Sequence, residues 1–123
     1  MKYIHTDQAP KAVGPYAQAI EVNGFIFCSG QIGIDPAAGT LVEGIESQTR
    51  QVFENVKQVL EEAGSSMDKV VKATVYLADI ADYQKMNEIY AQFFGDHKPA
   101  RAALAIDALP AGALVEMEVI AIK

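Results

Sequence analysis

The sequence predicts one domain over residues 1–123, of α+β or α/β class, with two helices packed on one face of a β-sheet. Three observations carry that expectation. Asn23-Gly24 stands between two apolar runs, a strong short-range hairpin signal. Two later segments repeat apolar residues at three- and four-residue intervals and end at glycine. The remaining apolar runs alternate, but both of their alternating sets are apolar.

Taken along the chain, Lys2 to His5 reads as a short first strand. Asn23-Gly24 supplies the positive φ angles of a type I′ turn, pairing Tyr16–Val22 with Phe25–Gly30. Counting back from the turn sets Val22 opposite Phe25, Gln18 opposite Ser29 and Ala17 opposite Gly30. Tyr16 and Ser29-Gly30-Gln31 then lie at the same open end. Residues 35–44, with Asp35-Pro36, read as a loop. Thr49, Val52, Val56, Val59, Leu60 and Ala63 mark an amphipathic helix that Gly64 ends. Val70–Leu77 is rich in β-branched residues and reads as a strand. Asp79 can cap a second helix with Tyr83, Met86, Tyr90, Phe93 and Phe94 on one face and Gly95 as its stop. Ala100–Ile106 and Leu114–Ile122 are the last two strands, joined through Pro110-Ala111-Gly112.

Two helices can cover only one face of such a sheet. Phe25 and Phe27 alternate with Ile26 and Cys28, and Val71, Ala73, Val75 and Leu77 with Val70, Lys72, Thr74 and Tyr76. Val115, Met117, Val119 and Ala121 form one face of the last strand, with Leu114, Glu116, Glu118, Ile120 and Ile122 on the other. A second apolar face needs a partner, and self-association is the simplest one.

Composition narrows the function classes. Half of the 123 residues are hydrophobic and 21% are charged, a globular balance. Ten Lys and Arg against sixteen Asp and Glu leave a net charge of −6, with the basic residues scattered. That argues against a nucleic-acid partner, whose phosphates call for a basic patch. No apolar run approaches the roughly 20 residues of a membrane helix, so no membrane partner is expected. Met1–His5 lacks the apolar stretch of a secretory signal, and a lone Cys28 suits a reducing compartment; the cytoplasm is expected. Neither a phosphate loop nor a set of ligands at metal spacing occurs.

Cys28 reads as a buried small hydrophobe and His97 as an exposed loop residue. Three polar residues are harder to place. Arg101 opens a strand of small apolar residues; its guanidinium fork suits either a carboxylate ligand or a surface ion pair. Glu116 shares the second apolar face, so it is either paired with a base or raised in pKa and suited to acid–base work. Asn87 lies one turn from Tyr83 and Tyr90, near the packed face of its helix.

These residues sit in stretches that resemble the reactive intermediate deaminase (RidA) family, also called YjgF or UK114. The resemblance runs from Gly14-Pro15-Tyr16-Ala17-Gln18-Ala19 through Ser29-Gly30-Gln31-Ile32-Gly33, Gln48-Thr49, Asn55 and Met86-Asn87. Pro99-Ala100-Arg101 and Val115-Glu116-Met117-Glu118 complete it. It implies a chorismate-mutase-like fold in which a mixed sheet of about six strands carries two helices on one face. Three such sheets would close a barrel in a homotrimer, with sites in the clefts between subunits. It implies hydrolysis of 2-imino or 2-enamino acids, such as 2-iminobutanoate and 2-iminopropanoate, to 2-keto acids and ammonia, without cofactor. Arg101 would hold the substrate carboxylate and Glu116 would position the water. Tyr16, Ser29, Gly30, Asn87 and Ala103 would shape the cleft. Many members carry cysteine where this chain has Ala103; imine hydrolysis needs no thiolate, so the backbone there can serve. A non-catalytic keto-acid-binding regulator and, with less support, a ribonuclease or translation inhibitor are the alternative functions.

Overall fold

The computed structural model describes residues 1–123. Strands β1 (Lys2–Ile4), β2 (Ala19–Val22) and β3 (Phe25–Ile32) are followed by a two-strand ribbon, β4 (Ile34–Asp35) and β5 (Thr40–Leu41). Helix α1 (Ile45–Glu62), β6 (Val70–Leu77), α2 (Tyr83–Phe94), β7 (Ala100–Ala105) and β8 (Val115–Ile122) complete the chain. The six long-sheet strands lie in the order β1-β2-β3-β8-β6-β7. Every neighbouring pair is antiparallel except β6–β7, which α2 connects in parallel. The fold is therefore α+β with a mixed sheet. Neither helix is long and apolar enough to cross a membrane.

The hairpin forms where expected. Asn23 and Gly24 have φ of 51° and 80°, and Val22 pairs with Phe25 and Ala19 with Cys28. Its first strand, however, begins at Ala19, not Tyr16. Upstream of Ala19 the chain is held by the Gln18 side chain, which accepts from Thr6 N (2.7 Å) and donates to the carbonyls of Thr6 (3.0 Å) and Pro10 (2.9 Å). Those contacts tie residues 16–18 to the N-terminal segment. Opposite them, β3 slips register against β8 between Cys28 and Gln31 and runs on to Ile32.

Other expectations shift in detail. The loop at 35–44 contains the β4–β5 ribbon, turned by Asp35 Oδ1 accepting from Ala37 N at 2.9 Å. Asp79 caps a short 3₁₀ turn, Ile80–Asp82, and α2 proper begins at Tyr83. Leu114 stays outside β8 because its N–H is taken by Gln48 Oε1 at 2.8 Å. Val71 is exposed while Val70 joins the core, since the β6–β8 register shifts between Val70 and Lys72. At the end of α1, Ser65 N donates to Leu60 O and Gly64 N to Glu61 O, the paired bonds of a Schellman stop.

Both helices pack on the face formed by Ile26, Cys28, Ala73, Val75, Leu77, Val115, Met117, Val119 and Ala121. Phe53 of α1 anchors this layer, stacked on Phe93 at 4.8 Å between centroids and edge-on to Tyr90 and Phe94. Its truncation to alanine would cost about 3–5 kcal/mol. The opposite face carries no layer of the same chain. There Phe25, Phe27, Leu104 and Ile122 remain 42%, 43%, 41% and 43% exposed.

Candidate functional site

The polar residues of interest fall into two groups, on opposite faces of the sheet. Arg101 is the second residue of β7 and pairs with Ala73, so its side chain rises on the helix-covered face. Tyr83, Asn87 and Tyr90 recur at four and three along α2 and therefore meet it from one helix face. Arg101 Nη1 donates to Asn87 Oδ1 at 2.6 Å, and Nη2 donates to the Tyr83 hydroxyl at 2.7 Å. The guanidinium carbon lies 4.7 Å from the Tyr90 ring centroid and 5.6 Å from that of Tyr83.

No carboxylate pairs with this half-buried guanidinium; the ion pairs of the chain are His5–Asp7 and Lys123–Glu21. Of the two readings of Arg101, the surface ion pair does not form: neutral acceptors take its place, and the positive charge stays unneutralised. A hollow of about 320 Å³ opens beside it, lined by Asn87, Tyr90, His97, Lys98 and Arg101 among others. The Tyr90 hydroxyl is buried without a hydrogen-bond partner, and burial raises its pKa. His97, expected at the surface, is half-buried and its Nε2 lies 2.6 Å from Val70 O, tying down the loop after α2.

Glu116 belongs to the other face. It pairs with Ile32 and Tyr76, and Tyr76 is of opposite parity to Ala73 on β6. Its carboxylate lies against Gly30: a Cβ on that residue would stand 2.8 Å from Glu116 Oε2, so a larger residue there would have to push the carboxylate aside. The Ser29 hydroxyl donates to Ala17 O at 2.6 Å and fastens the Tyr16 segment beside this turn. Tyr16, Gly30, Gln31, Ile32 and Glu116 line one groove of about 170 Å³. No basic side chain pairs with Glu116. Burial, and then the charge of Glu118, raise its pKa. Glu118 itself accepts from the Tyr76 hydroxyl at 2.9 Å.

The structure therefore gathers Tyr16, Ser29, Gly30 and Glu116 in one place and Asn87 and Arg101 in another. Ala103, two residues after Arg101, packs toward the core from the helix-covered face. Within one chain the two groups do not converge. Cys28 is buried and its thiol is pushed up to about 12, which suits a core residue and not a nucleophile. Tyr83 and Tyr90 join the Arg101 group; their spacing around Asn87 was readable, but only as packing.

An unneutralised cation among neutral acceptors, on a six-stranded α+β sheet, defines a domain equipped to hold a small anion. A family model described as Endoribonuclease L-PSP matches residues 6–123, and the chain belongs to that family, which is the RidA or YjgF family. A RutC family protein of Pyrococcus abyssi is 55% identical over 121 residues, covering 98% of this chain and 95% of that protein. The human protein named 2-iminobutanoate/2-iminopropanoate deaminase is 46% identical over 123 residues, covering 99% of this chain and 90% of its own. The crystal structure of RidA from an Antarctic Psychrobacter superposes with a TM-score of 0.98 at 44% identity, over the whole of both chains.

Proposed function

We propose that this protein is a cofactor-independent imine deaminase that hydrolyses 2-iminobutanoate, 2-iminopropanoate and their enamine forms. The observation that carries the reading is the pair of uncompensated charges: Arg101 without a carboxylate and Glu116 without a cation. Each lacks in its own chain what a substrate or a neighbouring copy would supply. Relatives named as deaminases support the substrate class.

In this reading three copies close a barrel with their bare apolar faces inward, as a homotrimer. The Arg101 end of one chain then faces the Glu116 groove of the next. Arg101 holds the substrate carboxylate, a charge-assisted bond contributing about 1.5–3 kcal/mol. Glu116 takes a proton from water as the oxygen adds to the carbon of the protonated imine, forming a neutral carbinolamine, and then gives that proton to the amine nitrogen. As the carbinolamine hydroxyl loses its own proton to Glu116, the C–N bond breaks and the 2-keto acid forms; the departing ammonia takes that proton away as ammonium. The raised pKa of Glu116 favours this two-way transfer, worth about 10²–10⁴ in rate. Tyr16, Ser29, Gly30, Asn87 and Ala103 shape the cleft around the acid.

The test is keto-acid release from a threonine dehydratase reaction with and without the protein. Faster release, lost in Arg101→Ala, supports the reading; an unchanged rate with the wild type overturns it. Binding of 2-oxobutanoate without turnover would point instead to a carrier or sensor. The family's description as Endoribonuclease L-PSP offers a nuclease as a second reading. The net charge of −6 weighs against it, and absence of salt-dependent RNA binding would dispose of it.

A further inference from the structure

We infer that Tyr83 is a positioning residue: its hydroxyl, acting with Asn87 and the Tyr90 ring, locks the Arg101 guanidinium in the orientation that receives a 2-imino or 2-oxo carboxylate. This inference rests on the proposed deaminase reading for its ligand, but the lock itself does not.

A guanidinium is planar, carries five N–H donors and cannot accept. Left to itself on an edge strand, it is a flexible side chain whose ordering must be repeated at every binding event. The bond from Nη1 to Asn87 Oδ1 fixes one corner of the plane. About that corner the group could still swing within and out of its plane. The Tyr90 ring, 4.7 Å from Cζ, restricts the swing out of plane. Within the plane the second fixed corner is Nη2, held by the Tyr83 hydroxyl at 2.7 Å. Three contacts from one face of α2 define the plane completely.

The donor chemistry has a further consequence. Because Arg101 can only donate, Tyr83 must accept from it, and Asn87 must present its carbonyl oxygen. The proton of the Tyr83 hydroxyl and both Nδ2 protons of Asn87 are then left for other acceptors. So are three of the five N–H bonds of the guanidinium. Every remaining polar hydrogen of this trio is a donor, and no carboxylate of the chain is paired with Arg101. That suits a monoanionic carboxylate and disfavours a ligand that must donate. Tyr83 thereby sharpens the group toward the anion while holding it still.

Tyr83→Phe removes one oxygen and keeps the ring against Arg101. It should raise KM for the imino acid, and Kd for 2-oxobutanoate, by about tenfold, the scale of one charge-assisted bond partly replaced by water. The kcat should stay within about twofold, since the acid–base step lies with Glu116. NMR of the Arg101 side chain supplies a readout that needs no substrate. Resolved Nη proton signals in the wild type, coalescing in Tyr83→Phe at the same temperature, report release of the lock. Both changes together support the inference. Signals already averaged in the wild type, or unchanged in the variant, overturn it, as does a released guanidinium with unaltered KM and Kd. If the wild type hydrolyses no imine, the deaminase reading fails while the spectra and the 2-oxobutanoate Kd still decide the role of Tyr83.

Discussion

The two faces of the sheet solve opposite problems. On the covered face, Arg101 is surrounded by side chains of its own chain: Asn87 and Tyr83 accept from it and Tyr90 lies beneath it. On the bare face, Glu116 rests against Gly30, and the large apolar residues of that face, Phe25, Phe27, Leu104 and Ile122, are open to water. One half is a guanidinium whose orientation its own chain already fixes. The other is a carboxylate whose desolvation is only partial until something covers the sheet. The lesson is that a single chain separates cation from carboxylate by the thickness of a β-sheet. In the proposed deaminase reading, function then depends on a second copy bringing the opposite faces together.

The most damaging change to this arrangement is a charge on the bare face. Phe27→Asp would set an unpaired carboxylate into the seam that the proposed trimer buries. It is expected to yield a folded monomer by sedimentation, with unchanged far-ultraviolet circular dichroism and no measurable imine hydrolysis. An active monomer would remove the need for the bare face altogether. Next in size, Glu116→Gln is expected to lower kcat by about 10²–10⁴-fold with little change in KM. Arg101→Gln acts on the other half and should lower kcat/KM by about 10–100-fold, chiefly through KM. Arg101→Lys should restore little of it, because an ammonium offers no planar fork to Asn87, Tyr83 and the carboxylate at once. Steady-state kinetics on both variants distinguish the two halves by which constant moves.

Much of this division was legible before any coordinates. Asn23-Gly24 set the hairpin register, and the alternation of Phe25 and Phe27 with Ile26 and Cys28 announced two apolar faces. The helix periodicities located both covering helices. The irregularities were not readable, because they come from side chains that replace backbone partners. Gln18 ties down the segment before β2, Gln48 takes the N–H of Leu114, and the β6 slip exchanges Val71 for Val70. The candidate residues were found one by one, but strand alternation alone could not say that Arg101 and Glu116 face apart. That follows from the parallel β6–β7 pairing and the antiparallel β6–β8 pairing, which join three distant segments. Tyr83 was visible only as an aromatic on a packed face; its hydroxyl acquires a role because a guanidinium from another strand arrives beside it.

A finer effect probes the bare half alone. Burial first, and the Glu118 charge second, raise the pKa of Glu116. Glu118→Gln removes the second cause, so the acid limb of the kcat/KM profile should move to lower pH with its plateau preserved. The sign for stability runs the same way. A carboxyl whose folded pKa lies above its unfolded value loses its stabilising contribution as pH rises through the folded pKa. Glu116→Gln should therefore gain Tm relative to wild type above that pKa and lose the advantage below it, as thermal melts at two pH values would record.

The central claim is that each site takes Arg101 from one chain and Glu116 from another. Its most direct test is to mix two impaired variants, Arg101→Ala and Glu116→Gln, unfold them together, refold them as hybrid oligomers, and assay them with imine well below KM. Random assembly of equal amounts puts an intact arginine opposite an intact glutamate in about a quarter of the clefts. Imine hydrolysis should return to about that fraction of the wild-type rate, while each variant refolded alone stays at or below about a tenth of it. Hybrid oligomers that form and are no more active than the variants alone would contradict the shared site.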